Sequence, residues 1–282
     1  MPATIDRISV STSRTPSRRT IGSTWHHALH VVEWQLMAFR AVWRSSVLTS
    51  FVQPLMYVAG MGLGVGALVN RNASSTSALG GIEYVTYLAP GLLATTAMMV
   101  ASMECMWPVL AGFKWQRTFH AMVASPLEPA DIVLGEAIYV GLRSLLSAAA
   151  VAVALTIFPA TRSSGLLLAM PFAGLCGLAS GMPIAAYAAT RERDSAFPAM
   201  QRFVITPLFL FGGAFYPLKQ LPVAAQALAK LAPLWHGVEL CRAATLHRLQ
   251  IGTAAVHVAY LLTWIAVGLV ATVHSFSKKL SI

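Results

Sequence analysis

Three ionisable side chains stand inside long apolar runs, where an ion is costly and is by default a functional candidate: Glu104, Glu136 and Arg143. Arg143 follows Glu136 by two helical turns and lies nearest the middle of its run. It therefore requires a partner, Glu104 or Glu136, or else it faces the path of a substrate. A proton-driven carrier would need a chain of such groups, and the remaining apolar runs do not supply one.

Other chemistry is missing from the pattern. A nucleotide-hydrolysing loop ends in Gly-Lys-Ser/Thr to cradle phosphates, and no Gly-Lys pair occurs; the lysines are Lys114, Lys219, Lys230, Lys278 and Lys279. If ATP drives this protein, another chain hydrolyses it. There is no His-Glu-x-x-His and no Gly-x-Ser-x-Gly. His26 and His30 share a helix face but lack a third ligand. Cys105, Cys176 and Cys241 are far apart, so neither a metal centre nor a disulfide framework is expected.

The elements that must position Glu104, Glu136 and Arg143 are membrane helices. Of 282 residues, 56% are hydrophobic and 11% charged, with mean hydropathy +0.65; a soluble domain carries roughly a quarter charged residues. About 20 apolar residues cross the hydrocarbon as a helix. Six such runs are expected, at about 47–69, 84–109, 130–158, 165–189, 197–215 and 253–276, giving an all-α membrane protein. Residues 1–24, rich in Ser, Thr and Arg without an apolar core, predict a disordered cytoplasmic arm rather than a signal peptide. Trp25, Leu29, Val32, Leu36, Phe39 and Val42 form a stripe at helical spacing, read as an amphipathic helix in the membrane interface. The stretch 216–249, broken by Pro217, Pro222 and Pro233, predicts short helices dipping into the outer leaflet.

The net charge of +10 is spread over short connections without an aromatic-basic face, which argues against nucleic-acid binding. With six spans, twelve of the 20 lysines and arginines fall on the side of both termini and six on the other. The positive-inside rule then places both termini in the cytoplasm.

Several separated motifs carry a family resemblance. Tyr87-Leu-Ala-Pro90-Gly91-Leu-Leu-Ala94, Gln116-Arg117-Thr118, Ser125-Pro126-Leu127 and Asp131-Ile-Val-Leu-Gly135-Glu136 are followed in the second half by Phe211-Gly-Gly-Ala-Phe215-Tyr216-Pro217-Leu218, Pro233-Leu234-Trp235-His236-Gly237 and Glu239-Leu-Cys-Arg242. In this order, from about residue 25 to the C-terminus, the chain resembles ABC type-2 exporter permeases. It is most similar to those exporting nodulation lipo-oligosaccharides and more broadly to daunorubicin-type drug-resistance permeases.

The resemblance implies a half-transporter in a bacterial cytoplasmic membrane. A second permease, as a homodimer, and two copies of a separate ATPase would complete it. No cofactor belongs to this chain; ATP and magnesium belong to the ATPase. The family's coupling helix maps onto about 113–126, so Lys114, Arg117, His120 and Pro126 become candidates for ATPase coupling; Lys114 and Arg117 serve equally well as positive-inside anchors. The outer re-entrant region maps onto Pro217, Pro222, Pro233, Glu239 and Arg242. The competing functions are a membrane-embedded lipid-modifying enzyme, which would need clustered Asp, His or Ser residues, and a non-transporting assembly protein.

Overall fold

The computed structural model describes residues 21–281, and within them the fold is helical. The arm expected at 1–24 lies outside the described residues, except that Ile21–Thr24 already belong to the first helix. The order is α1 (Ile21–Tyr57), α2 (Gly66–Arg71), α3 (Ala73–Ala78), α4 (Tyr84–Lys114), α5 (Thr118–Ala124), α6 (Pro129–Leu155), α7 (Gly165–Ala189), α8 (Phe197–Met200), α9 (Thr206–Phe211), α10 (Val223–Leu231), α11 (Pro233–Thr245) and α12 (Ile251–Leu280).

Among the described residues, five helices are long and apolar enough to cross a membrane: Trp25–Arg71, Tyr84–Lys114, Pro129–Leu155, Gly165–Ala189 and Ile251–Leu280. The interfacial helix and the first span, expected as two elements, are one uninterrupted rod. A π-helical stretch, Val58–Val65, joins α1 to α2 without a break. Nothing between Trp43 and Val47 stops a helix; the intervening residues are Arg44, Ser45 and Ser46. On this rod Ala28, Val31, Val32 and Gln35 are buried against α6, while Trp25, Leu29, Leu36 and Val42 of the expected stripe face outward.

The expected span at 197–215 is not among the five. It consists of α8, the π-helical turn Gln201–Ile205 and α9, a helical path of 15 residues that ends at Phe211. Pro198 stands in the first turn of α8, where its missing amide costs nothing; Pro207 withholds an amide from the ladder, and Thr206 bonds five residues back to the Gln201 carbonyl. Gly212 and Gly213, the latter with φ +80°, then reverse the chain. The segment nevertheless runs the length of the bundle antiparallel to α4. Phe197 lies 5.2 Å from Trp107 near one end of α4. At the other end, a side chain on Gly91 would meet Ala214 at 2.8 Å.

α4 and α7 form the centre, with α6, α11 and α12 around them and α1 laid along α6. Close approach of α7 rests on small residues at i and i+4. A Cβ on Gly177 would meet Ser144 Cβ of α6 at 2.8 Å, and one on Gly181 would meet Ala101 Cβ of α4 at 3.2 Å. α6 opens on a capping box in which the Glu128 amide donates to Asp131 Oδ2 at 3.0 Å, with Pro129 as its first residue.

Candidate functional site

The intramembrane charges are brought together. Arg143 of α6 donates from Nε (2.9 Å) and Nη2 (2.8 Å) to Glu104 Oε1 of α4, and its guanidinium sits 4.2 Å from the Phe39 ring centroid of α1. Glu136 takes a different partner, the side-chain amide of Gln35. A third polar contact, His27 Nδ1 to Asp131 Oδ2 at 3.3 Å, lies toward the start of α6. Residues 27, 35 and 39 of α1 thus meet 131, 136 and 143 of α6 in the same order, so the two helices run parallel. Gly135 lets them touch: a Cβ there would meet Val31 Cβ at 2.6 Å and the Ala28 carbonyl at 2.8 Å.

Two cavities meet at the Arg143–Glu104 pair. A groove of ≈ 470 Å³ between α1, α4 and α6 is walled by Trp34, Phe39, Trp107 and Tyr139, and α5 reaches it through Thr118 and Phe119. A second cavity, ≈ 340 Å³, adds Ser45 and Gln53 of α1 beyond the pair, and Ser46 lines both. Phe119 is buried between Phe113 (4.9 Å) and Phe276 (5.1 Å), which fastens α5 to the ends of α4 and α12. The arrangement is an apolar trough with a polar waist, suited to an amphiphile.

Of the four coupling candidates, Lys114, Arg117 and His120 line one basic cup of ≈ 550 Å³ with Arg191, Arg193 and Lys279. Pro126 lies beyond the end of α5, outside that lining. The last three basic residues come from the α7–α8 link and the end of α12, distant in sequence, and neither periodicity nor spacing singled them out.

The outer candidates also converge. Arg242 donates to Glu239 Oε1 (2.7 Å) and to the Gly213 carbonyl (2.8 Å), with its guanidinium 3.9 Å from the Tyr87 ring centroid. This clamps the chain reversal at 212–217 onto α4. Pro217 precedes a short 3₁₀ turn, Leu218–Gln220; Pro222 precedes α10; Pro233 is the first residue of α11. His236 of α11 bonds to the Lys230 carbonyl (3.0 Å) and to His257 of α12 (2.8 Å between Nδ1 atoms), and it stacks on Tyr260 at 3.8 Å. Burial pushes the His236 pKa below its ordinary 6.5. Among the described residues, no group of three or more His, Cys, Asp or Glu side chains could hold a metal ion. Cys105, Cys176 and Cys241 are free and buried.

The family model described as ABC-2 type transporter matches residues 30–246. The chain belongs to this family. Relatives of this ABC-2 protein include nodulation protein J of Rhizobium leguminosarum bv. trifolii, 34% identical over 72% of this chain and 79% of that one. Nodulation protein J of Rhizobium leguminosarum bv. viciae is 30% identical over 86% and 91%. The inner membrane transport permease YadH of Escherichia coli (strain K12) is 25% identical over 75% and 77%. The matched range includes the groove, the Arg143–Glu104 pair and the Arg242 clamp; of the cup, only Lys279 lies beyond it. The ABC-2 chain is a multi-pass membrane permease.

Proposed function

We propose that this chain is the transmembrane subunit of an ATP-driven exporter. It moves an amphipathic substrate, a lipo-oligosaccharide, glycolipid or hydrophobic drug, out of the cytoplasm or the inner leaflet. One observation carries the reading: Thr118 and Phe119 of α5 line the same groove as the Arg143–Glu104 pair, so a push on α5 is felt where an amphiphile would lie. Two copies of a separate ATPase supply the push, with ATP and magnesium bound there. They bear on the exposed tip of α5, at Ala121, Ala124, Ser125 and Pro126, beside Lys114, Arg117 and His120. A second copy of the permease completes the pathway.

Six crossings of a bacterial cytoplasmic membrane, with both termini inside, follow from counting 197–211 as a short crossing. It joins the end of α7 to the outer segment, and Lys279 at the end of α12 returns to the end of α7. Pro217, Pro222, Pro233, Glu239 and Arg242 then face the outer leaflet.

Co-expression with an ABC ATPase tests this. A stable complex with vanadate-sensitive turnover in vesicles is expected. Absence of both complex and turnover would reject the exporter, leaving a lipid-modifying enzyme or an assembly protein.

A further inference from the structure

The basic cup has a use that neither the groove nor α5 absorbs. It forms where the ends of α4, α7 and α12 come together, and five lysine or arginine side chains line it against one carboxylate, Glu192. Lys279 is engaged: its Nζ donates to the carbonyls of Ala189 and Arg191, 2.8 Å each, above the Phe113 ring at 4.8 Å. Arg191 donates to Thr190 Oγ1 (3.1 Å) and lies 4.4 Å from the Tyr187 ring centroid. Among the described residues, no carboxylate pairs with Lys114, Arg117, Arg191 or Arg193. Arg117 holds φ +53°, a left-handed conformation uncommon outside glycine. Such strain persists where the surrounding structure enforces it, and it gathers at ligand-binding positions.

We propose that this cup binds the phosphate-bearing headgroup of an anionic phospholipid. Four cations with no paired carboxylate, gathered in a concavity of ≈ 550 Å³ whose one acidic lining residue is Glu192, repel one another until an anion is seated among them. Guanidinium groups suit phosphate oxygens because their donors form a planar fork. The cup lies at the level where three long helices end, and its apolar floor is Phe113. Basic pockets between transmembrane helices at the cytoplasmic surface recruit acidic headgroups. An acidic face of the ATPase is the less suited occupant, because the outward tip of α5 from Ala121 to Pro126 carries no charge. The cytoplasmic placement rests on the exporter reading; the binding is measured without any ATPase, so the two fail separately.

The test uses the full chain in nanodiscs of phosphatidylcholine, with phosphatidylglycerol titrated in and retained lipid counted by native mass spectrometry. Wild type is expected to retain phosphatidylglycerol selectively. The triple variant Arg117→Ala, Arg191→Ala, Arg193→Ala should lose on the order of a hundredfold in apparent affinity, in line with electrostatic recruitment of acidic lipid. The outer pair Lys219→Ala, Lys230→Ala should leave retention unchanged. A triple variant that misfolds is recognised by its lost helicity, and Arg193→Gln alone then serves, with a smaller loss expected. Equal retention by folded cup variants would overturn the proposal.

Discussion

Arg143 and Glu104 form a two-pronged ion pair between α6 and α4, and Phe39 of α1 closes over the guanidinium. Arg143 is 9% and Glu104 19% exposed, so neither charge has water as a substitute for the other. Arg143→Leu leaves a carboxylate stranded. Breaking a buried pair from one side costs about 3–5 kcal/mol, whereas removing both charges is far milder. Thermal unfolding of Arg143→Leu should show that loss, and Arg143→Leu with Glu104→Gln should recover most of it. A single mutant as stable as wild type would disprove that the pair holds the two helices.

Gly91 permits the chain reversal to press on α4. A methyl group there would meet the Cα and Cβ of Ala214 at 2.8 Å. Gly91→Ala should therefore push 212–217 outward, loosen the bond from Arg242 to the Gly213 carbonyl, and cost about 1–3 kcal/mol through overpacking. Hydrogen exchange checks it: amides at 212–216 should exchange faster in the variant while those in α7 do not.

The long helices were legible because their apolar runs exceed what a soluble fold could bury; α7 begins and ends where its composition changes, at Gly165 and Ala189. The segment 197–215 forms a shorter helical path than its apolar run suggests, because composition records hydrophobicity but not the proline and glycine geometry that ends the path at Phe211. The choice of Glu104 over Glu136 for Arg143 was illegible for another reason. Periodicity fixes the face of a helix and leaves open which neighbour meets it. Gln35, which takes Glu136 instead, sits 101 residues away in sequence. The basic cup escaped for the same cause, since it combines three connections. Gly91 and Gly237 of the resemblance motifs gain a physical reason, because a side chain on Gly237 would collide with Cys176.

His236 gives the corner between α11 and α12 a pH dependence. It lies in α11, outside the five long helices, and burial holds its pKa below 6.5, with His257 adding to the depression. The native state therefore prefers neutral His236 while the unfolded chain takes up a proton near 6.5. Stability is full above that pH, falls as the pH drops toward the native-state value, and levels off below it. The Lys230 carbonyl, which accepts from Nε2–H, works against this shift without overturning it; in the neutral ring Nδ1 accepts from His257. The variant His236→Phe keeps a ring against Tyr260 and removes the proton site. Melting temperatures between pH 8 and pH 5 should fall less steeply for it than for wild type. Parallel slopes would count against this assignment.

Phe119 is the link between α5 and the groove. It touches Phe113 and Phe276 and also lines the cavity that holds the Arg143–Glu104 pair. Phe119→Leu keeps apolar bulk but loses the aromatic contacts, a stability loss of about 1 kcal/mol. The variant should insert, fold and assemble with an ABC ATPase as wild type does. Its basal ATP turnover should persist while stimulation by an amphiphile in vesicles falls, because the push on α5 is no longer transmitted rigidly to α4 and α12. Full stimulation in a folded, assembled Phe119→Leu complex would show that thrust reaches the groove by another route.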